Sequence, residues 1–178
     1  MRLKKGDKIL SLNLPSIDGK NFTIQELQGK KALITFYRFA SCPFCNLRIN
    51  ELTNRYDELD DNFQIIAIFD SPIDNLNKYT KKHNAPFWIL ADEANKYFNK
   101  FSVERSFLKF LKGTTIRFHR LLLAMLKGYI PSIIPKGSFS TIPVDILVGK
   151  DGLINEAYYA KDTSDHLSFD KVKEFSKS

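Results

Sequence analysis

Cys42 and Cys45 are the only cysteines of the chain, and Pro43 and Phe44 stand between them. A Cys-Pro-Phe-Cys run can serve three chemistries: half of a metal clip, a structural disulfide, or a working redox pair. A zinc clip needs two further ligands; no third cysteine exists, and His83, His119 and His166 are scattered without ligand spacing. A staple is unnecessary, because 178 residues can bury a core without one. A redox pair needs a thiolate, the reactive form of cysteine, where negative charge is favoured. Pro43 fits the first position of a helix, so Cys42 stands at unpaired backbone N–H groups and the positive end of the helix dipole. Such a place lowers a thiol pKa from about 8.5 into the range of roughly 3.5–7.5. Arg38 and Arg48 add positive charge nearby in sequence. Cys45, one turn later, is within disulfide reach of Cys42, and its deeper position makes it the less acidic thiol. The expected roles are attack by Cys42 and resolution by Cys45. The blander alternative is two inert buried cysteines; a proline between them at a strand-to-helix junction argues against it.

Several elements must position that pair. "ALITFYRFA", rich in β-branched and aromatic residues, reads as a buried strand running into Cys42. After Cys42 the apolar period becomes helical through Leu47, Leu52, Tyr56 and Leu59, with Arg48, Asn50, Glu51, Asn54 and Arg55 facing away. "FQIIAIFDS" is a second buried strand, and Ser71-Pro72 starts a helix that stops near His83-Asn84. "PFWILADE" is short and apolar, with Trp88 expected to pack under the active-site face, and "ANKYFNKFSV" is helical. Upstream, Asp18-Gly19 turns an N-terminal hairpin; downstream, "VDILVGKDGLINEAYYA" is a second hairpin and 168–175 a closing helix. Strands alternating with helices before a terminal antiparallel hairpin imply an α/β fold with a mixed central sheet covered on both faces.

The net charge of +7 resides in one segment. From Arg105 to Val144 there is no carboxylate, yet seven cations: Arg105, Lys109, Lys112, Arg117, Arg120, Lys127 and Lys136. The helical insertion near 105–136 is expected to break at Gly113 and end near Gly128, before a loop with Pro131, Pro135 and Gly137. One reading is a helical flap whose apolar side covers the core or a dimer contact, with cations in solvent. Another is contact with an anionic membrane surface or an acidic partner. The interruption at Gly113 and the absence of a clean basic stripe favour the flap, and clustered charge alone is no nucleic-acid-binding fold. Without an apolar stretch of leader length after "MRLKKGDKIL", or a run of roughly 18 apolar residues, a cytoplasmic location is expected.

With these pieces in place the chain resembles a known family. "YRFASCPFCNLRINEL" and "AYYAKDTSDHL", with "IIAIFDSPIDNLNKYTKKHNAPFWILADEANKYFNKFSV" and "IPVDILVGKDGLI", are similar to peroxiredoxin-like proteins of the alkyl hydroperoxide reductase/thiol-specific antioxidant family, within the thioredoxin-fold superfamily. The resemblance covers about 1–104 and 138–178. It implies one thioredoxin-like domain over 1–178, with an N-terminal β-hairpin and the helical insertion. It also implies a thiol enzyme reducing hydroperoxides through Cys42, with Cys45 resolving and Arg38 assisting. A thioredoxin-, glutaredoxin- or glutathione-type donor would restore the pair, no metal or organic cofactor is expected, and a homodimer stays open. In thioredoxin-like folds a cis-proline before the closing hairpin faces the active cysteine. Pro143 fits that place, the backbone of Ile142 would then pair with a bound disulfide or peptide, and Pro43 completes the expected substrate-binding set. One departure stands out. Typical members carry P-x-x-x-(T/S)-x-x-C, whose hydroxyl helps hold the peroxide oxygens; this chain has Thr35 and Phe39 there, and Ser41 is out of register. A peroxide site would be built from Arg38 and helix N–H groups. The alternatives are a thiol-disulfide oxidoreductase, which C-P-x-C spacing suits, and a non-catalytic membrane- or partner-binding module using 105–136. Asp165-His166 is expected to serve on the surface or as a cap rather than to tune a thiol.

Overall fold

Ala32–Tyr37 form strand β3, with every residue buried, at the centre of a five-stranded sheet. The computed structural model describes residues 1–132 and 135–178. β1 (Asn13–Pro15) and β2 (Asn21–Thr23) pair as a separate antiparallel hairpin. β4 (Gln64–Phe69) runs parallel to β3, and β5 (Trp88–Ala91) parallel to β4 at one edge. On the other side lie β6 (Val144–Val148) and β7 (Ile154–Tyr159), antiparallel to β3 and to each other. The sheet is therefore mixed, as expected, and "PFWILADE" supplies its edge strand.

Period-two alternation sends successive residues to opposite faces. Ile34, Phe36, Ile66 and Ile68 enter a core closed by the N-terminal segment and α3 (Lys96–Lys100). Leu33, Tyr37, Ile65, Ala67 and Phe69 pack on the other face against α1 (Pro43–Asn54), α2 (Ile73–Thr80) and the closing α6 (Phe169–Lys177). Trp88 corrects the expectation made for it. Its register partner is Ile66, so its ring meets Phe22 at 5.3 Å on the face away from the cysteines.

The insertion folds as α4 (Phe107–Ile116) and α5 (Phe118–Leu126), and α5 packs along α1. Gly113 does not break a helix. It lies inside α4, where an added Cβ would stand 2.6 Å from Thr163 Oγ1, so glycine permits a close approach of two backbones. The chain changes direction at Arg117 instead, which both helices share as a cap. The expected apolar-in, cations-out division is half met: Ala124 is buried with Leu47 and Tyr129, but most large apolar residues of both helices are exposed. The part of the following loop at 133 and 134 lies outside the described residues. Among the described residues no helix is long and apolar enough to cross a membrane.

Candidate active site

β3 delivers the chain to Arg38, and a short turn closed by Cys42 N–H to Phe39 O hands it to α1. Cys42 is the N-cap of α1 and Pro43 its first residue; the sulfur takes the place of a capping oxygen, accepting the N–H of Cys45 at 3.3 Å. Arg38, 2 % exposed, donates Nη2 to the same sulfur at 2.9 Å. Its Nη1 goes to Phe139 O at 3.2 Å, and the rings of Phe39, Phe44 and Phe110 lie 5.6–5.8 Å from the guanidinium carbon. Arg38 Nε is buried without a partner among the described residues, a spare donor at the site.

Both cysteines are free thiols and fully buried. Burial alone raises the pKa of Cys42. The Cys45 thiol, the Arg38 charge and the Cys45 N–H together outweigh it and lower the value to about 6. Cys45 is pushed well above the ordinary thiol range, first by burial, then by its hydrogen bond to Cys42 and the charge there. One thiol of lowered and one of raised pKa thus stand three residues apart, an asymmetry suited to dividing attack from resolution.

Arg48 departs from its expected outward position. It is 4 % exposed, donates to Leu167 O at 2.8 Å and pairs with Glu51 at 2.8 Å, so it braces α1 against the C-terminal segment. The helix expected to start at Ser71-Pro72 begins after Pro72 without a side-chain cap bond, and the Ser71 hydroxyl donates to Lys136 O instead.

Ile142 and Pro143 lead into β6, whose Val144 pairs with Phe36, so they border the end of β3 that carries Arg38. The expected cis bond is absent: no cis peptide occurs among the described residues, and Ile142–Pro143 is trans. Ile142 N–H donates to Glu104 O at 2.8 Å, and Thr141 bridges Arg105, so the chain enters β6 extended and tied to the start of the insertion. That N–H is consequently engaged rather than open to a bound peptide.

His166 also corrects its expectation. Its side chain is buried, with Nδ1 at 3.1 Å from Asp145, which also accepts Thr35 Oγ1 at 2.6 Å and Leu167 N at 2.8 Å. Thr35, the residue in the family's proline position, is therefore a structural partner of its register neighbour Asp145. Its place beside Tyr37, 5.4 Å between rings, puts His166 behind the site, bonded to Asp145.

Three further supports, Asn46 with His83, Asp70 and Gly137, hold the turn and the loop beside it. Asn46 Nδ2 donates to Ala40 O and Cys42 O, clamping the turn, and its Oδ1 accepts from His83 Nε2 at 2.8 Å. Burial, with Lys82 adding to it, lowers His83 to about 4, which keeps the imidazole neutral. Asp70, at the end of β4, gathers Asn95, Arg105, Ser138 N and Thr141, and so holds the loop that presents Phe139 O to Arg38. Gly137 lets that loop close: its φ is +129° and a Cβ would overlap Asp70 O. The periodic signal of Asn46 is only a polar residue on an apolar helix face, which a close reading of α1 can pick out.

A model of the AhpC/TSA family matches residues 5–157. Among curated proteins, Peroxiredoxin Bcp of Escherichia coli K12 is 29% identical over 109 residues, 60% of this chain and 70% of the relative. Among solved structures, Peroxidoxin BcpB of Mycobacterium tuberculosis aligns with a TM-score of 0.70 at 14% identity, over 99% of this chain and 97% of the other. A peroxiredoxin-like protein of Aquifex aeolicus aligns at 0.71 and 10% identity, over 99% and 88%. The structural likenesses give the fold, a thioredoxin-like mixed sheet flanked by helices.

Proposed function

The chain belongs to the AhpC/TSA family, and on that footing we propose that it is a thiol-dependent peroxidase in which Cys42 attacks a hydroperoxide. One observation carries the reading: the Arg38 guanidinium at 2.9 Å from a buried sulfur whose pKa is lowered to about 6. The thiolate attacks the terminal peroxide oxygen, the O–O bond breaks, and the alkoxide or hydroxide leaves with a proton as alcohol or water. Cys42 becomes a sulfenic acid. Oxidation removes the negative charge that holds the Cys45 proton in place, so Cys45 deprotonates more readily at this point. Its sulfur attacks that of Cys42, water departs, and a disulfide forms within one helical turn. A cytoplasmic thiol donor of thioredoxin, glutaredoxin or glutathione type supplies two electrons and restores the pair. Arg38, through Nε and Nη, is the donor set for the peroxide oxygens in place of the missing hydroxyl. Cys42 has no exposed surface, so the packing around it, which includes Phe110 beside Arg38 and Leu121 against the cysteine cluster, must open for substrate to enter.

A second reading has its own support. Phe39 occupies the position where a hydroxyl would hold peroxide, and it packs on Phe139 at 5.1 Å. With C-P-F-C spacing, that favours reduction of disulfides over peroxides. Peroxide titration followed by mass spectrometry of the alkylated protein tests the proposal. One equivalent of hydrogen peroxide converts both thiols to a Cys42–Cys45 disulfide if it holds. Thiols that stay alkylatable under peroxide yet oxidise with glutathione disulfide would favour the second reading.

A further inference from the structure

The outer side of the α4–α5 pair takes no part in the site. Along α5, Phe118, Leu122, Met125 and Leu126 recur at i, i+4, i+7 and i+8, one face of a helix, and all four are exposed, Leu126 by 86 %. On α4, Leu108 and Leu111 stand one turn apart and are likewise exposed, Leu108 by 79 %. The inward side is already occupied: Phe110 lies over Arg38, Gly113 meets Thr163, Leu121 joins the cysteine cluster and Ala124 packs with Leu47. Two adjoining helices thus present large apolar residues that none of the described residues covers, a feature that marks an interaction surface.

Charge decides what covers it. The segment from Arg105 to Val144 holds seven cations and no carboxylate; Arg105, Lys109 and Arg117 pair with carboxylates of neighbouring elements. Lys112, Lys127 and Lys136 are exposed, and Lys82 joins them at the end of α5, 4.7 Å above the Tyr129 ring. A second copy docking here about a two-fold axis would set the same cations against themselves with no acidic residue of the segment to meet them. An anionic bilayer answers both halves of the surface: headgroup phosphates for Lys and acyl chains for Leu and Phe. The helices are too short to cross, so they would lie in the interface.

We propose that the outer face of α4 and α5 is a docking surface for an anionic lipid bilayer. The inference does not rest on the peroxidase reading, since it concerns the side of the insertion turned away from Cys42.

Flotation of the full-length protein with vesicles of phosphatidylglycerol or of phosphatidylcholine tests it. Binding to phosphatidylglycerol at low salt is expected, lost at high salt and absent with phosphatidylcholine. Lys112→Gln with Lys127→Gln should weaken partitioning on the order of 30-fold. Leu122→Ser with Leu126→Ser, which leaves net charge unchanged, should weaken it at least about tenfold. Both variants should keep the wild-type circular dichroism and thiol alkylation rate. No binding to phosphatidylglycerol, or binding indifferent to the Leu→Ser pair, would overturn the proposal. So would poly-glutamate binding as tight as vesicle binding, or a dimer dissolved by the same pair, either of which assigns the face to another occupant.

Discussion

Arg38 donates one terminal nitrogen to the sulfur of Cys42 and the other to the carbonyl of Phe139. The first bond favours a thiolate; the second fixes the guanidinium to a loop more than ninety positions away in sequence. Arg38 thus ties the Cys42 sulfur, whose pKa it helps to lower, to the loop that Asp70 holds.

Arg38→Gln removes the charge while keeping a donor. The Cys42 pKa is expected to rise from about 6 toward the ordinary thiol range. A charge-assisted hydrogen bond contributes roughly 1.5–3 kcal/mol, which corresponds to about one to two pKa units. In the wild type, thiolate forms as pH rises through about 6, so iodoacetamide reactivity falls as pH drops below that value. The variant should lose reactivity at a higher pH.

Cys45→Ser should separate the two half-reactions. The variant is expected to form a stable sulfenic acid at Cys42 with one equivalent of peroxide, trapped by dimedone and read by mass spectrometry. Turnover with a dithiol donor should drop at least about tenfold if the resolving thiol is required.

His83 gives stability a pH dependence with a definite sign. Its folded pKa is lowered to about 4, below the value of about 6.5 expected unfolded, chiefly by burial. The unfolded chain therefore binds a proton that the folded chain refuses between those values. His83 contributes stability fully above pH 6.5, and the contribution is lost as pH falls toward 4. His83→Gln, which can still donate to Asn46, should flatten the drop in urea midpoint between pH 7 and pH 5.

Asp70→Ala leaves Asn95, Arg105, Ser138 N and Thr141 without their shared acceptor. A loss of roughly 2–3 kcal/mol in urea unfolding is expected, because buried donors lose their partner. Amide exchange at 138–141 should quicken, and alkylation of Cys42 should accelerate with it as the Phe139 loop loosens.

What the sequence disclosed follows the range of the interactions. The strand-to-helix junction at Cys42, the N-terminal hairpin and the closing hairpin are local patterns, readable from period and turn residues. Trp88 could have been placed as well, since it shares parity with the strand residues facing away from α1. Phe139, Phe110 and Asp70 could not, because the chain brings them to Arg38 and its loop from distant positions with no motif to flag them. Arg48 and His166 escape a sequence reading for the opposite reason. Polar and ionisable side chains are usually solvated, and here α1 and the segment before α6 bury both against backbone and Asp145. Gly113 looked like a helix breaker because its role, room for Thr163, exists only in three dimensions.

In the proposed mechanism Arg38 makes Cys42 a peroxide-reactive thiolate. Stopped-flow consumption of hydrogen peroxide by the reduced protein at pH 7 measures it directly. The predicted second-order rate constant exceeds that of free cysteine by at least about a hundredfold and falls at least about tenfold in Arg38→Gln. A wild-type rate no better than free cysteine, unchanged in the variant, would contradict it.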